Sequence, residues 1–192
     1  MPRAGLTPAI VVDEAARLAD EVGLDRLTLA ALAQRLGVAL PSLYKHVRGL
    51  DALVQKVSAL ATAELAAVLA EAAAGRSRGD AVRSAAAAYR SYAHQFPGRY
   101  QAGQRVPDPS DPAHVAAGER GVGTLFAVLR GYGLDGDDAV DATRALRSAL
   151  HGFVSLEQAG GFGLPVDVDR SYDQLVLALD LALSSWPSRA PR

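Results

Sequence analysis

The stretch LTLAALAQRLGVALPSLYKHV, Leu27 to Val47, constrains this chain most, because it fixes two short helices and the corner between them. Leu29, Leu32, Ala33 and Leu36 fall at i, i+3, i+4 and i+7, one apolar face at helical period. Gly37 follows at once, the residue type that a tight corner with positive φ selects. In the next segment Leu43 and Val47, four residues apart, share an inward face. Pro41, Ser42 and Lys45 are left facing outward, with Tyr44, His46 and Arg48 on the flanks. Two helices meeting at a glycine, the second with polar groups turned out, have the layout of a helix-turn-helix reader.

Charge supports a localised site. From Arg26 to Leu50 there are four bases (Arg26, Arg35, Lys45, Arg48) and no acid, so this window carries +4. With −1 on the whole chain, −5 is left for the rest. A basic island in an otherwise acidic protein is the footprint of one nucleic-acid site rather than of non-specific coating. At 192 residues and 49% apolar the chain can bury a full core, as one domain or a small pair. No apolar run of about eighteen residues is free of charge, so no membrane span is expected. The N-terminus meets Asp13 and Glu14 too early for a signal peptide, and a cytoplasmic location is expected. The absence of cysteine excludes disulfides, thiolate chemistry and cysteine-ligated metal.

Periodicity along the chain predicts helices throughout. Thr7-Pro8 opens the first, as a capping hydroxyl followed by proline; Val11, Ala15, Leu18 and Val22 form its core stripe, and Gly23 ends it. After Leu27–Leu36 and Pro41–Val47, a fourth helix starts at Asp51 and keeps its apolar period to Ala74. Such a helix runs on the order of 35 Å at about 1.5 Å per residue, long enough to link a head to a body. GRSRG, 75–79, reads as a linker. Asp80–Gln95 is helical and breaks at Pro97-Gly98, VPDPSDP at 106–112 must be a loop, and helices follow over His114–Tyr132, Asp137–Gln158 and Asp169–Trp186. No strand-like alternation of useful length appears. The fold class is all-α, with a head over 1–55 (its last helix continuing to about 74) and a helical body over 80–187.

Glu21 to Val54, EVGLDRLTLAALAQRLGVALPSLYKHVRGLDALV, resembles the DNA-binding segment of the tetracycline-repressor (TetR) family of bacterial transcriptional regulators. The match runs through Gly23, Leu27, Thr28, Leu32, Ala33, Leu36, Gly37, Val38, Leu43, Tyr44, His46, Val47 and Leu53. LGV followed by LYxHV is far more restrictive than general helix-turn-helix patterning. Tyr89 to Ala102 and Ala149 to Gly163 are similar to the C-terminal ligand-binding domain of one TetR subgroup. The resemblance implies a ligand-responsive regulator, most often a repressor. It would bind a palindromic double-stranded operator as a homodimer formed through its last two helices, and a small-molecule effector would release it.

Candidate DNA contacts follow residue by residue. Lys45 can pair with a phosphate or donate to guanine, and Ser42 stands beside it. Leu40 and Pro41 offer apolar contact to thymine methyls, while Tyr44 and His46 match the family's LYxH positions against the DNA backbone. Thr28 caps the second helix and aims its first amides at a phosphate; Arg48 and Arg3 are weaker phosphate candidates. The chain also departs from the family pattern. Ala39 and Leu40 stand where polar residues often cap the recognition helix, Ala30 offers no base contact, and Leu50 takes a position where relatives often place lysine. These departures keep open an alternative, an all-α small-molecule-binding protein with weak or lost DNA affinity.

In the body, Tyr89, Tyr92 and Phe96 form one aromatic stripe, with Tyr100 just beyond the Pro-Gly break. Gly118, Gly121 and Gly123 within one helix, each about 1 kcal/mol worse than alanine there, suggest close packing or room for a ligand. Together with Phe126 and Phe153 these residues would line an apolar effector cavity, with His151 and Glu157 as its polar contacts. By itself His151 fits a satisfied core histidine better. Gly131–Gly136 matches GxGxxG but follows a helix instead of a strand, so a dinucleotide site is excluded on context, and Asp137 is read as capping the next helix. The histidines at 46, 94, 114 and 151 lack ligand spacing, so neither metal nor cofactor is expected, and no catalytic motif argues for an enzyme.

Overall fold

The computed structural model describes residues 6–187, and among these there is no strand. The helices are α1 Pro8–Val22, α2 Leu29–Leu36, α3 Leu40–Leu43, α4 Leu50–Ala73, α5 Arg78–Gln95, α6 Pro97–Ala102, α7 Pro112–Arg130, α8 Gly136–Gln158 and α9 Val168–Ser184. They fall into two compact units. One takes residues up to Glu64 together with Gln95–Gly118; the other takes Leu65–His94 and everything from Glu119. This differs from a simple division near 75–79. The segment that holds α6 and the proline-rich loop groups with the N-terminal helices, and α4, α5 and α7 each contribute to both units.

The first unit closes on Val11, Ala15, Leu18, Leu27, Leu32, Leu43, Val47, Leu53 and Val57, the apolar faces that periodicity marks out. Thr7 caps α1 by accepting from Ile10 N at 3.3 Å, and Pro8 occupies the first turn, where its missing N–H is no loss. Pro97-Gly98, expected as a break, is instead the start of α6, again with proline in the first turn. Gly98 is required there by proximity. A Cβ on it would lie 2.2 Å from the Ala19 backbone carbon, so only hydrogen lets α6 settle against the end of α1. Asp20 completes the contact, accepting from Arg99 N at 2.9 Å and pairing with its guanidinium at 3.1 Å. Burial pushes the Asp20 carboxyl above its ordinary range despite that partner.

The second unit packs Ala81, Val82, Tyr89 and Tyr92 of α5 with Leu129, Leu146, Val154, Tyr172, Val176 and Leu183. Tyr172 donates from its hydroxyl to the Ala86 carbonyl at 2.7 Å. α5 begins at Arg78, so the polar linker is shorter than 75–79. The turn before α8 also differs in detail: Asp135 is the N-terminal cap residue, and α8 starts at Gly136 before Asp137 is reached. Gly118 and Gly121 have only ordinary neighbours, at 3.8 Å and 3.7 Å from a Cβ, and Gly123 has none within 4 Å. Close packing is therefore not why α7 carries them. Among the described residues one helix, α4, is long and apolar enough to cross a membrane by length and composition. Within the protein it supplies fully buried Leu53, Val57 and Ser58.

Candidate nucleic-acid interface

The reader is built from a capped helix, a corner and one further turn. Thr28 Oγ1 accepts from Ala31 N at 3.1 Å and starts α2. α2 ends at Gly37, left-handed at φ 65°, with Val38 N donating back to Ala33 O at 3.0 Å. This 6→1 bond is the Schellman closure that directs the chain into α3. α3 has four residues instead of the expected seven. Ala39 gives it no side-chain cap, and past Leu43 the chain goes on as a turn, His46 N donating to Leu43 O at 2.8 Å. Leu43 and Val47 are buried, as expected, and hold this turn against the first unit's core.

Outward, Thr28, Leu40, Pro41, Tyr44, Lys45 and Arg48 do not share one degree of burial with Ser42 and His46; the two latter are half-buried, and Leu40, Pro41, Tyr44, Lys45 and Arg48 are exposed. Tyr44 is 56% exposed, a large aromatic ring in water beside Leu40 at 38%. Arg3 lies outside the described residues.

The basic island is smaller in space than in sequence. Arg35 Nε meets Glu14 at 3.0 Å, and its two terminal nitrogens grip Glu21 at 2.5 and 2.7 Å. These hydrogen bonds raise the guanidinium's pKa and hold the Glu21 carboxyl below the usual range. Arg26 donates to the Val22 carbonyl. Both residues are engaged inside the protein. Lys45 and Arg48 have no hydrogen-bond or ion-pair partner among the described residues and keep their donors for an external anion.

The eight expected cavity residues do not form one group. Phe96 and Tyr100 belong with the first unit, and Tyr89, Tyr92, Phe126, His151, Phe153 and Glu157 with the second. Tyr89, Tyr92 and Tyr100 are buried. Phe153 lies 4.7 Å from Phe162 with the rings tilted at 45°, and edge-on at 5.0 Å against Tyr172. Glu157 is engaged in an ion-pair network: Arg90 grips both of its oxygens and also meets Asp169 at 2.7 Å, while His94 Nε2 stands 2.9 Å away. Arg90 holds this carboxyl below its ordinary range. His151 lies 3.4–3.5 Å from the Ser155 hydroxyl, and burial lowers its pKa. A separate cleft of about 840 Å³ runs along α5 and α9, with Arg83, Arg90, His94, Asp169, Tyr172 and Leu177 on its walls. None of the eight expected residues lines it. Its rim is charged, and apolar periodicity does not mark such a surface.

The family model for bacterial regulatory proteins of the tetR family matches residues 11–57, and that for the tetracyclin repressor-like C-terminal domain matches 82–179, half of the chain. The chain belongs to the TetR family. Within that family it is 42% identical to the uncharacterized HTH-type transcriptional regulator Rv0681 of Mycobacterium tuberculosis, over 92% of this chain and 81% of the relative. It is 34% identical to the regulator YobS of Bacillus subtilis, over 87% of each. Among solved structures it is similar to TetR from Acinetobacter baumannii AYE, with TM-score 0.66 and 26% identity over 96% of this chain and all of that one. Apo ActR from Streptomyces coelicolor shares the fold, with TM-score 0.72 at 24% identity and 95% and 96% coverage. The protein is thus a helix-turn-helix transcriptional regulator of TetR type, from a family whose members bind DNA operators, dimerise and bind small ligands.

Proposed function

We propose that the protein is a cytoplasmic repressor that binds a palindromic operator as a homodimer and leaves it when a small apolar or aromatic effector occupies the body. The observation that carries this reading is the surface left beside the buried Leu43 and Val47. There Tyr44 is more than half exposed, and Lys45 and Arg48 have no partner among the described residues. An exposed aromatic hydroxyl with two unengaged cations on one short turn suits a phosphate backbone and a groove edge. Thr28, Leu40, Pro41, Ser42 and His46 flank them, and Arg3 is assigned a phosphate in the same reading.

The dimer reading rests on a second surface. Leu156 of α8 and Leu177 and Leu181 of α9 are 53%, 45% and 63% exposed, on helices whose other faces are core. Gly152, one turn before Leu156, would bring a Cβ to nothing within 4 Å. A helix-interior glycine with no internal neighbour suits a partner helix crossing closely there. The effector reading draws support from the aromatic side chains that the second unit holds, Tyr89, Tyr92, Phe126 and Phe153, with His151 as the polar contact; Phe96 and Tyr100, in the first unit, drop out of it. Glu157, tied to Arg90, would orient the wall without touching the ligand. Structural neighbours include ActR in complex with (S)-DNPA and an Acinetobacter baumannii TetR variant in complex with minocycline.

Selection of bound sequences from random DNA tests the reading, since it returns symmetry and half-site spacing together. Half-sites about 34–36 Å apart or somewhat more are expected. Recovery of no enriched sequence would leave the second reading, a ligand-binding protein with weak DNA affinity. The four-residue α3 and the internal use of Arg35 and Arg26 favour that alternative.

A further inference from the structure

Two polar residues of the first unit are wholly excluded from solvent and have no part in the DNA-facing surface: Ser58 on α4 and His114 in the first turn of α7. The ring of His114 is fixed at both nitrogens. Asp108 N stands 3.4 Å from Nδ1, and a backbone N–H only donates, so Nδ1 accepts. Nε2 lies 3.3 Å from Thr62 Oγ1 and 3.4 Å from Ser58 Oγ. The Thr62 hydroxyl gives its own proton to the Ser58 carbonyl at 2.8 Å, which leaves its oxygen free to accept. The ring is therefore the neutral tautomer with its proton on Nε2. A second proton, on Nδ1, would set N–H against N–H in a site closed to solvent.

The segments that meet at the ring carry Asp108 and Asp111 on the loop, and Lys56 and Glu64 beside Ser58 and Thr62 on α4, Glu64 being paired with Arg99 at 3.3 Å; α7 itself adds no charge before Glu119. Lys56 Nζ pairs with Asp111 at 2.7 Å, and Ser110 donates to Asp108 from its amide and its hydroxyl at 2.8 and 2.7 Å. Those partners hold both carboxyls below their ordinary range, so they stay ionised where histidine titrates. An imidazolium turned off the Asp108 amide thus has two anions within the same loop. The hydrogen bonds at the two ring nitrogens fit the neutral ring alone.

We propose that His114 is a proton-controlled latch: neutral, it fastens the 106–112 loop and the start of α7 to α4, and protonated it lets them go. The inference goes beyond the repressor reading and needs no DNA to be tested. Long-range proton–nitrogen spectra of the imidazoles in the full chain, from about pH 8 to about pH 5, report tautomer and charge. Amide exchange over 106–114, corrected for intrinsic rate, reports the loop. The expected result is an Nε2–H tautomer at neutral pH and an Asp108 amide that exchanges at least about tenfold faster in acid, one unit of proton linkage. His114→Gln should show a corrected exchange rate that no longer depends on pH. His114→Asn, whose carbonyl oxygen replaces Nδ1 as acceptor, should keep Asp108 protected in acid, and it serves where the glutamine variant does not fold. A ring carrying Nδ1–H at neutral pH overturns the proposal. So does protonation with no loosening of the loop, or an unchanged acid response in both variants.

Discussion

Arg35 donates to Glu14 and Glu21 on α1, whereas Lys45 has no partner among the described residues. The two cations should therefore fail in different ways. Lys45→Ala is expected to weaken operator binding and to flatten the slope of log K against log salt by about 1, as removal of a single phosphate-neutralising charge does. Arg35→Ala should leave that slope alone and lower the melting temperature, because it strips Glu21 of its partner and leaves Glu14 with Arg17 alone. Binding isotherms at several salt concentrations, beside thermal melts, separate the two. Glu157 gives a pH dependence. Arg90 and His94 favour its ionised form, so its folded pKa lies below the unfolded one. The stabilisation is complete above the ordinary carboxylate range and is lost as pH falls through that range toward the folded value. Melting temperature should drop across that window for the native chain and hold more nearly level for Glu157→Gln.

Helix ends account for most of what differs from expectation among the elements. Apolar period marks helix interiors well, and every long helix lies where periodicity places it. Ends depend on caps. Ala39 leaves the first turn of α3 without a side-chain acceptor, while the far end stops at Leu43 and goes on as a turn through the His46 N to Leu43 O bond. Ala39→Ser, at a position already extended at φ −71°, ψ 140°, is expected to raise stability by about 1 kcal/mol, read as a higher melting temperature. Pro97-Gly98 has the look of a break and hides α6 from a reading of the chain. A signal for the helix is present, since proline is favoured at the first position. The reason for glycine is not, because it lies in the Ala19 backbone across the contact. Gly98→Ala should cost on the order of 1–3 kcal/mol, as overpacking against backbone that has no room to yield. A melt unchanged from the native chain would contradict that contact.

For the whole molecule, exposed Leu156, Leu177 and Leu181 make the assembly the decisive quantity. Leu177→Glu with Leu181→Glu is expected to yield monomers in analytical ultracentrifugation and to weaken operator binding, since a palindrome rewards two joined readers. Retained dimers would move the interface elsewhere. The division into compact units is less legible. GRSRG reads as the domain boundary, yet Gln95–Gly118 falls with the N-terminal helices. Sequence order says nothing about which distant segment returns to fill a core.

By itself the sequence determined the helical class, the corner at Gly37, the two aliphatic anchors of the reader and the family, because each rests on local periodicity or on a short motif. Tertiary structure decided which charges remain available to a ligand. Arg35 and Glu157 both look free in one dimension and find partners only where α1 meets α2 and where α5 meets α8. The physical reason is range. A helix is specified by neighbours three or four residues away, whereas an ion pair or a buried histidine is specified by whatever the fold brings within hydrogen-bond distance.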